Sequence, residues 1–377
     1  MPHNKKHHYV PRFYLKRFSY NGRSISLWNI NKKLKVLSAN LQHQCYKNYF
    51  YGSELEAEKA LGLIESHCAR ILRLIDEFQY PPQHGTEDYH ILILYILTQH
   101  GRTVYAADLL NEMNEQMVKY ILGPKANAEG LDLSKVNIGL KEPAKYSLGL
   151  STELFPFLLD LNCKLILNET HVEFVTSDNP VVFYNQLFSF RRYWSNTGYA
   201  SKGLQIFFPI NPHMTIILYD NQSYSVGKRN NQIVKVTLTK DVYELNTLQM
   251  TSANENVYFR DQQLDIETLN KRSSAFRRNQ KSNMDVFKKE KTQETREEII
   301  ASSRVDIKTN LKLSFVRITK ATKIWRKEFL KQKNQPVAVV RNKQLCDDHR
   351  EFMKKVDEGV LNHKDFLKFI AKNYNKS

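Results

Sequence analysis

Cysteine is scarce in this chain. Four occur in 377 residues, Cys45, Cys68, Cys163 and Cys346, widely spaced and with no CxxC pair. That excludes a disulfide scaffold and a structural zinc cluster. Long apolar runs are lacking too: the most apolar stretch, Ile91 to Leu97, falls far short of the ~20 residues a membrane span needs. No apolar h-region follows Met1-Pro2-His3-Asn4-Lys5-Lys6, so no secretory signal is read there. The expectation is a cytoplasmic protein with reduced thiols. A Walker loop, GxGxxG, GxSxG, HExxH and an HNH-type zinc pattern are all absent. PD-(D/E)xK chemistry would need an acidic-x-Lys pair on a strand after Asp178, and none is convincing. Cys346 and His349, three apart, do not make a metal site.

Acidic residues are outnumbered, 39 to 56, for a formal net charge of +17. The excess is uneven. Residues 265–377 carry 28 Lys and Arg against 15 Asp and Glu, or +13, whereas residues 1–264 carry only +4. Clustered cations suit a polyanion such as nucleic acid, because binding phosphates releases counterions. A solvated basic tail is the plainer explanation. The composition otherwise, 41% hydrophobic and 25% charged, is that of an ordinary globular protein.

Periodicity predicts an α+β fold: an N-terminal hairpin, long central helices and a mainly antiparallel sheet, followed by a basic helical C-terminal extension. Ser24 to Ile30 alternates as a half-buried strand does, and Leu34 to Leu37 returns beside it. Ala57, Leu61, Ile64, Cys68 and Ile75 mark one long helix. A second begins after Pro81-Pro82, with Thr86 as N-cap, and is expected to end at Gly123-Pro124. A short helix over Leu150 to Leu161 precedes strands at Lys164 to Leu167, Glu173 to Thr176, Val181 to Tyr184, Gly203 to Pro209 and Met214 to Tyr219. A helix follows around Thr239 to Glu255. The domain division is 1–264, then a basic polar linker or exposed helix over 265–298, then a basic helical region over 299–377. In that last region Ile299-Ile300, Leu311, Phe315, Ile324-Trp325, Phe352, Val356, Phe366 and Phe369 recur at helical intervals.

Two strings carry most of the candidate chemistry, His7-His8-Tyr9-Val10-Pro11-Arg12-Phe13-Tyr14-Leu15-Lys16-Arg17-Phe18 and Thr176-Ser177-Asp178-Asn179-Pro180-Val181. Adjacent His7 and His8 cannot share a strand face, so one points inward. An imidazole beside Arg12, Lys16 and Arg17 suits an anionic group. Asp178 at a strand end is either turn chemistry or a rigidly held base or metal ligand. Glu65 borders the apolar stripe of its helix. Gln99 and Arg102 share a face of the next helix, and a Glu65–Arg102 ion pair between the two helices is expected. Asn246 and Gln249, three apart on the later helix, either line the same pocket or serve as hydrogen-bonding surface.

These strings resemble a family of mainly microbial proteins of unknown function, DUF4238. Its pattern H-x-V-P-x-x-Y-L-x-x-F is met from His8 through Val10-Pro11 and Tyr14-Leu15 to Phe18. The resemblance runs on through Tyr49-Phe50-Tyr51, Ile64-Glu65, Gln99 with Arg102, Ser177-Asp178-Asn179-Pro180, Phe208-Pro209-Ile210-Asn211-Pro212 and Asn246 with Gln249. It covers about residues 5–260 and excludes the basic extension. Gly101 departs from it, where a larger helical residue is expected. The family implies a fold and a set of candidate residues but no reaction, and it makes His8 the preferred histidine.

The reading that follows is a phosphodiester hydrolase, nuclease-like, acting on nucleic acid. His8, Asp178, Glu65 and Arg102 would be catalytic, with Arg102 stabilising developing phosphate charge. Arg12, Gln99, Asn179, Asn246 and Gln249 would bind substrate. Asp178, Glu65 and His8 are the candidate ligands of a divalent metal, magnesium or manganese. The alternatives are a non-enzymatic nucleic-acid- or partner-binding module whose polar residues form a structural network, and a binder of a small phosphorylated ligand.

Overall fold

The computed structural model describes residues 5–53, 56–191, 196–277, 309–332, 338–362, 365–366 and 368–369, with the backbone of 283–291 and 295–303. The chain opens with β1 (Lys6–His8), α1 (Arg12–Lys16), β2 (Ser24–Asn29), β3 (Leu34–Asn40) and β4 (Tyr46–Asn48). Four helices follow, α2 (Glu56–Phe78), α3 (Glu87–Gly101), α4 (Val104–Ala128) and α5 (Pro143–Glu153). Then come β5 (Asn162–Asn168), β6 (Thr176–Ser177), β7 (Val182–Tyr184), β8 (Gln205–Asn211), β9 (Met214–Tyr219), β10 (Tyr224–Val226) and β11 (Ile233–Val236). The remainder is α6 (Thr239–Ser252), β12 (Asn256–Phe259), α7 (Ile266–Ser274), β13 (Asn283–Lys291), β14 (Thr295–Ser303), β15 (Val316–Ile318), α8 (Lys320–Lys331) and α9 (Lys343–Asp357).

A five-stranded sheet in the order β11-β5-β9-β8-β7 is antiparallel except for the β11–β5 pair. Both of its faces are covered, so its central strands carry apolar residues on both, as in Ile206-Phe207-Phe208 and Ile216-Ile217-Leu218. Along β9, Ile216 and Leu218 face a core shared with α1, α2 and α3, while Ile217 and Tyr219 face a second core shared with α6. A four-stranded antiparallel sheet, β3-β2-β12-β6, joins the N-terminal hairpin to strands more than a hundred residues away.

The α+β class holds, and the hairpin, the first long helix, the Thr86 cap and the β8–β9 turn lie where periodicity puts them. Elsewhere the structure differs. The second helix does not run unbroken to Gly123. It stops at Gly101, and Thr103, extended at φ −75° and ψ 157°, caps a new helix by accepting the Ala106 N–H at 3.2 Å. That helix passes through Pro124, an exposed residue with no N–H to give the helix. The short helix begins earlier, at Pro143, because proline fits a first helical turn, and a 3-10 turn over Phe155–Leu158 follows it.

The polar segment after Asp265 is neither one linker nor one exposed helix. Asp265 caps α7, and β13 and β14 form a hairpin that takes in Ile299-Ile300; residues 278–282 and 292–294 lie outside the described residues. Its register sets Lys288 opposite Glu298, Lys289 opposite Glu297 and Glu290 opposite Arg296. A composition that reads as solvated tail is thus a strand pair. The second core does not stop at 264 either, since Leu311, Leu313, Val316 and Phe329 pack in it with Val242 and Leu248.

Candidate functional site

β1 turns His7 inward and leaves His8 half-buried. The His7 ring stacks on Tyr51 at 5.7 Å and 9°. Its Nδ1 accepts the Tyr51 N–H at 3.2 Å and lies 3.9 Å from Glu58 Oε1. Burial raises the Glu58 pKa, and His7 opposes that rise. His8 Nδ1–H donates to the Gln44 carbonyl at 3.1 Å, which leaves Nε2 as the lone-pair nitrogen. Burial lowers the His8 pKa, the Gln44 bond resists, and the charges of Arg12, Arg102 and Lys6 lower it further. Neutral imidazole is therefore favoured near pH 7.

The last turn of α3 ties this segment to the helices. Gln99 Nε2–H donates to the Tyr9 carbonyl at 3.0 Å, and Gln99 Oε1 accepts Arg102 Nε–H at 3.0 Å. Arg102, wholly buried, donates from Nη1 to Glu65 Oε1 at 2.7 Å. This is the helix-to-helix ion pair the spacing predicts. Burial works against the Arg102 charge, but Glu65, Tyr51 and Tyr95 raise its pKa above the ordinary value. The Tyr51 hydroxyl donates to the Arg102 carbonyl at 3.2 Å. Among the described residues, Arg102 Nη2 and the Tyr95 hydroxyl have no hydrogen-bond partner.

Gly101 explains itself here. A Cβ at this position would lie 2.9 Å from the Ser147 carbonyl oxygen and collide with the Ser151 side chain. The glycine lets α3 and α5 touch, so the departure from the family pattern tightens this corner.

Asp178 is buried and occupied. Its carboxylate accepts the N–H groups of Asn254 at 2.8 Å, Glu255 at 2.7 Å and Asn256 at 2.9 Å, closing the turn between α6 and β12. Burial outweighs those three donors and pushes its pKa up to about 6. Asn179 Nδ2 donates to the Ser252 carbonyl and hydroxyl oxygens, each at 3.0 Å. Gln249 Nε2 donates to Ser177 Oγ at 2.6 Å and to the Asn179 carbonyl at 3.2 Å. Asn246 donates to the Glu173 carbonyl at 2.8 Å and accepts the Val175 N–H at 3.0 Å. These residues stitch the 173–179 segment onto α6.

Glu65, Gln99 and Arg102 thus converge, with His8 within the field of Arg102, while Arg12 stands exposed on α1. Asp178 shares no hydrogen bond with them; its charge is felt by Tyr9, Cys45 and Tyr258. Among the described residues, no group of three or more His, Cys, Asp or Glu side chains is placed to hold a metal ion. His7, Glu58, Tyr51 and Tyr95 belong to the cluster, although the sequence reading does not select them for chemistry. Two signals point to them: His7 is the other face of β1, and Glu58 lies two helical turns before Glu65.

The basic extension presents a separate surface. On α8, Trp325 and Phe329 pack on Phe188, with ring centroids 6.0 and 5.7 Å away. The opposite face carries Lys320, Lys323 and Lys327, all exposed. Among the described residues none of the three has a carboxylate within ion-pair distance, whereas Lys331 meets Glu328 at 2.9 Å. On α9 the charges pair along the helix itself: Arg350 with Asp347, Lys355 with Glu351, Lys354 with Glu358. No described helix is long and apolar enough to cross a membrane.

A family described as a protein of unknown function, DUF4238, matches residues 6–263. The chain belongs to the DUF4238 family. No curated protein and no solved structure matches it. The DUF4238 match takes in the Arg102 cluster and the Asp178 clasp and ends just before α7, although the second core of this DUF4238 chain continues into residues 311–329.

Proposed function

We propose that this protein is a non-enzymatic nucleic-acid-binding module. Its buried polar residues hold the fold together, and its α8 face contacts phosphates. The observation that carries this reading is the stripe of Lys320, Lys323 and Lys327, without counter-charge among the described residues and seated on the rigid core by Thr319 and Thr322 hydroxyls that donate to the Gln222 carbonyl at 2.9 and 3.1 Å. Cations on one helix face lower the free energy of phosphate binding through counterion release and need no base contact. Fluorescence anisotropy of a generic 20-mer duplex, DNA in one arm and RNA in the other, tests it. Binding should weaken steeply from 50 to 200 mM salt and should fall when all three lysines become glutamine. Binding that ignores salt, or no binding, overturns it.

One observation favours a second reading, the phosphodiester hydrolase. Arg102 Nη2 is a spare donor beside Glu65, and neutral His8 has a basic Nε2. In that reading His8 Nε2 takes the proton of an attacking water as its oxygen bonds to phosphorus, and Arg102 binds the phosphoryl oxygen as charge develops. The P–O bond to the leaving alcohol breaks, the leaving oxygen taking the proton from the His8 imidazolium. A nuclease assay without metal, and with magnesium or manganese, on wild type and on His8→Gln and Arg102→Met decides it. Equal activity in all three proteins sinks the proposed roles.

A further inference from the structure

A cleft of about 260 Å³ opens between α4, α5 and the 197–199 loop, on the opposite side of the last α3 turn from Arg102. Its inner end is aromatic. The His100 ring lies on Phe183 at 4.3 Å and 17°, and Tyr199 meets both nearly edge-on, at 6.3 and 5.4 Å. Leu110 and Met113 form the α4 wall, and Leu150 forms the α5 wall. The space exists because small residues, Ala106, Ser147 and Ser151, stand where larger ones would fill it. The few polar groups include the Ser147 and Ser151 hydroxyls; Ser151 Oγ lies 3.5 Å from the Tyr199 hydroxyl.

We propose that this cleft binds a small flat aromatic molecule carrying one hydroxyl. Size, shape and polarity select that class. An apolar cavity of ~150 Å³ accepts one benzene ring, so 260 Å³ accommodates about two fused rings. The cleft lies below the ~300–1,000 Å³ of drug-sized sites, which excludes larger cofactors. An inner end of stacked and edge-on rings favours another ring over a flexible chain, because aromatic contacts add to area burial and a rigid ligand loses little entropy on binding. A ligand hydroxyl would pair with the serine hydroxyls. The charged groups of the Arg102 cluster take no part in the lining.

The test titrates the full chain with 2-naphthol, using decanoate as the aliphatic counterpart of equal carbon number. Wild type should bind one 2-naphthol per chain, with Kd on the order of 0.1 mM, and decanoate at least tenfold more weakly. In methyl-labelled protein the Met113 resonance should move, while that of Met117, exposed on the same helix, should not. Leu110→Trp, which fills the cleft from the α4 wall, should weaken binding at least tenfold, and Ala106→Phe should do the same. Circular dichroism melts establish that each variant is folded, and either folded variant suffices. Unsaturable binding, movement of Met117 alone, equal binding of decanoate, or full affinity in a folded filled variant overturns the proposal.

Discussion

Arg102 and Glu65 meet at 2.7 Å with unequal exposure: the arginine side chain is wholly buried and the glutamate is 28% exposed. Removing either partner is therefore not equivalent. Glu65→Ala strands a buried cation and should cost about 3–5 kcal/mol. Arg102→Met leaves a carboxylate that water can reach, and should cost less. Urea unfolding of both variants checks the order, and the reverse order would refute this account of the pair.

Asp178 gives a pH dependence whose sign follows from its environment. Its folded-state pKa of about 6 stands above the ordinary 3.8. Between those values the folded protein keeps a proton that the unfolded chain has released. The stability this group contributes is fully present below pH ~3.8 and is lost as pH rises through about 6, a change of about 3 kcal/mol. Asp178→Asn should lack that fall. A carboxyl-carbon NMR titration of Asp178 should show a midpoint near 6, and a midpoint near 4 would contradict it.

Gly101→Ala should destabilise by about 1–3 kcal/mol, as overpacking does. Adding Ser151→Ala should recover only part of that stability, because the Ser151 Cβ, which alanine keeps, and the Ser147 carbonyl oxygen lie 2.5 and 2.9 Å from the new methyl. Thermal melts of the single and double variants measure this. Full recovery would place the strain in the Ser151 hydroxyl alone.

Much of this corner is legible in the sequence. Glu65, Gln99 and Arg102 carry helical spacing, and a charge on an apolar stripe demands a partner. The role of Gly101 is not legible, because the residues it touches, Ser147 and Ser151, lie more than forty positions away. Nor does the Asp178 string reveal its occupation. Its partners are backbone N–H groups at 254–256, and backbone leaves no mark on composition. The β13–β14 hairpin escapes a reading by composition because its pairing joins positions that stand apart along the chain, such as 286 and 300, while the composition along the chain suggests solvent.

For the α8 surface, each phosphate that a lysine no longer neutralises should reduce the slope of log K against log salt by about 0.9 on duplex DNA. Gln at 320, 323 and 327 should therefore flatten the slope by up to about 2.7. An unchanged slope would place the phosphate-binding surface elsewhere.

Thiol reactivity separates the cysteines. Burial raises the pKa of all four; it pushes Cys163 up to about 12, and Cys45 and Cys68 higher still. Only Cys346 is partly exposed. A native titration with an aromatic disulfide reagent should find one accessible thiol, and denaturant should release four. Fast labelling of Cys45 in the native state would contradict its place beside Tyr258.

The turn at 99–102 sends four consecutive residues to four different neighbours: Gln99 to Tyr9, His100 to Phe183, Gly101 to α5 and Arg102 to Glu65. Such a turn has no spare position. A substitution elsewhere can drift and be absorbed by one neighbour, but here each site answers to a separate part of the molecule. Mutational tolerance should therefore collapse over this unbroken stretch, and lineages can alter it only by changing several distant segments together.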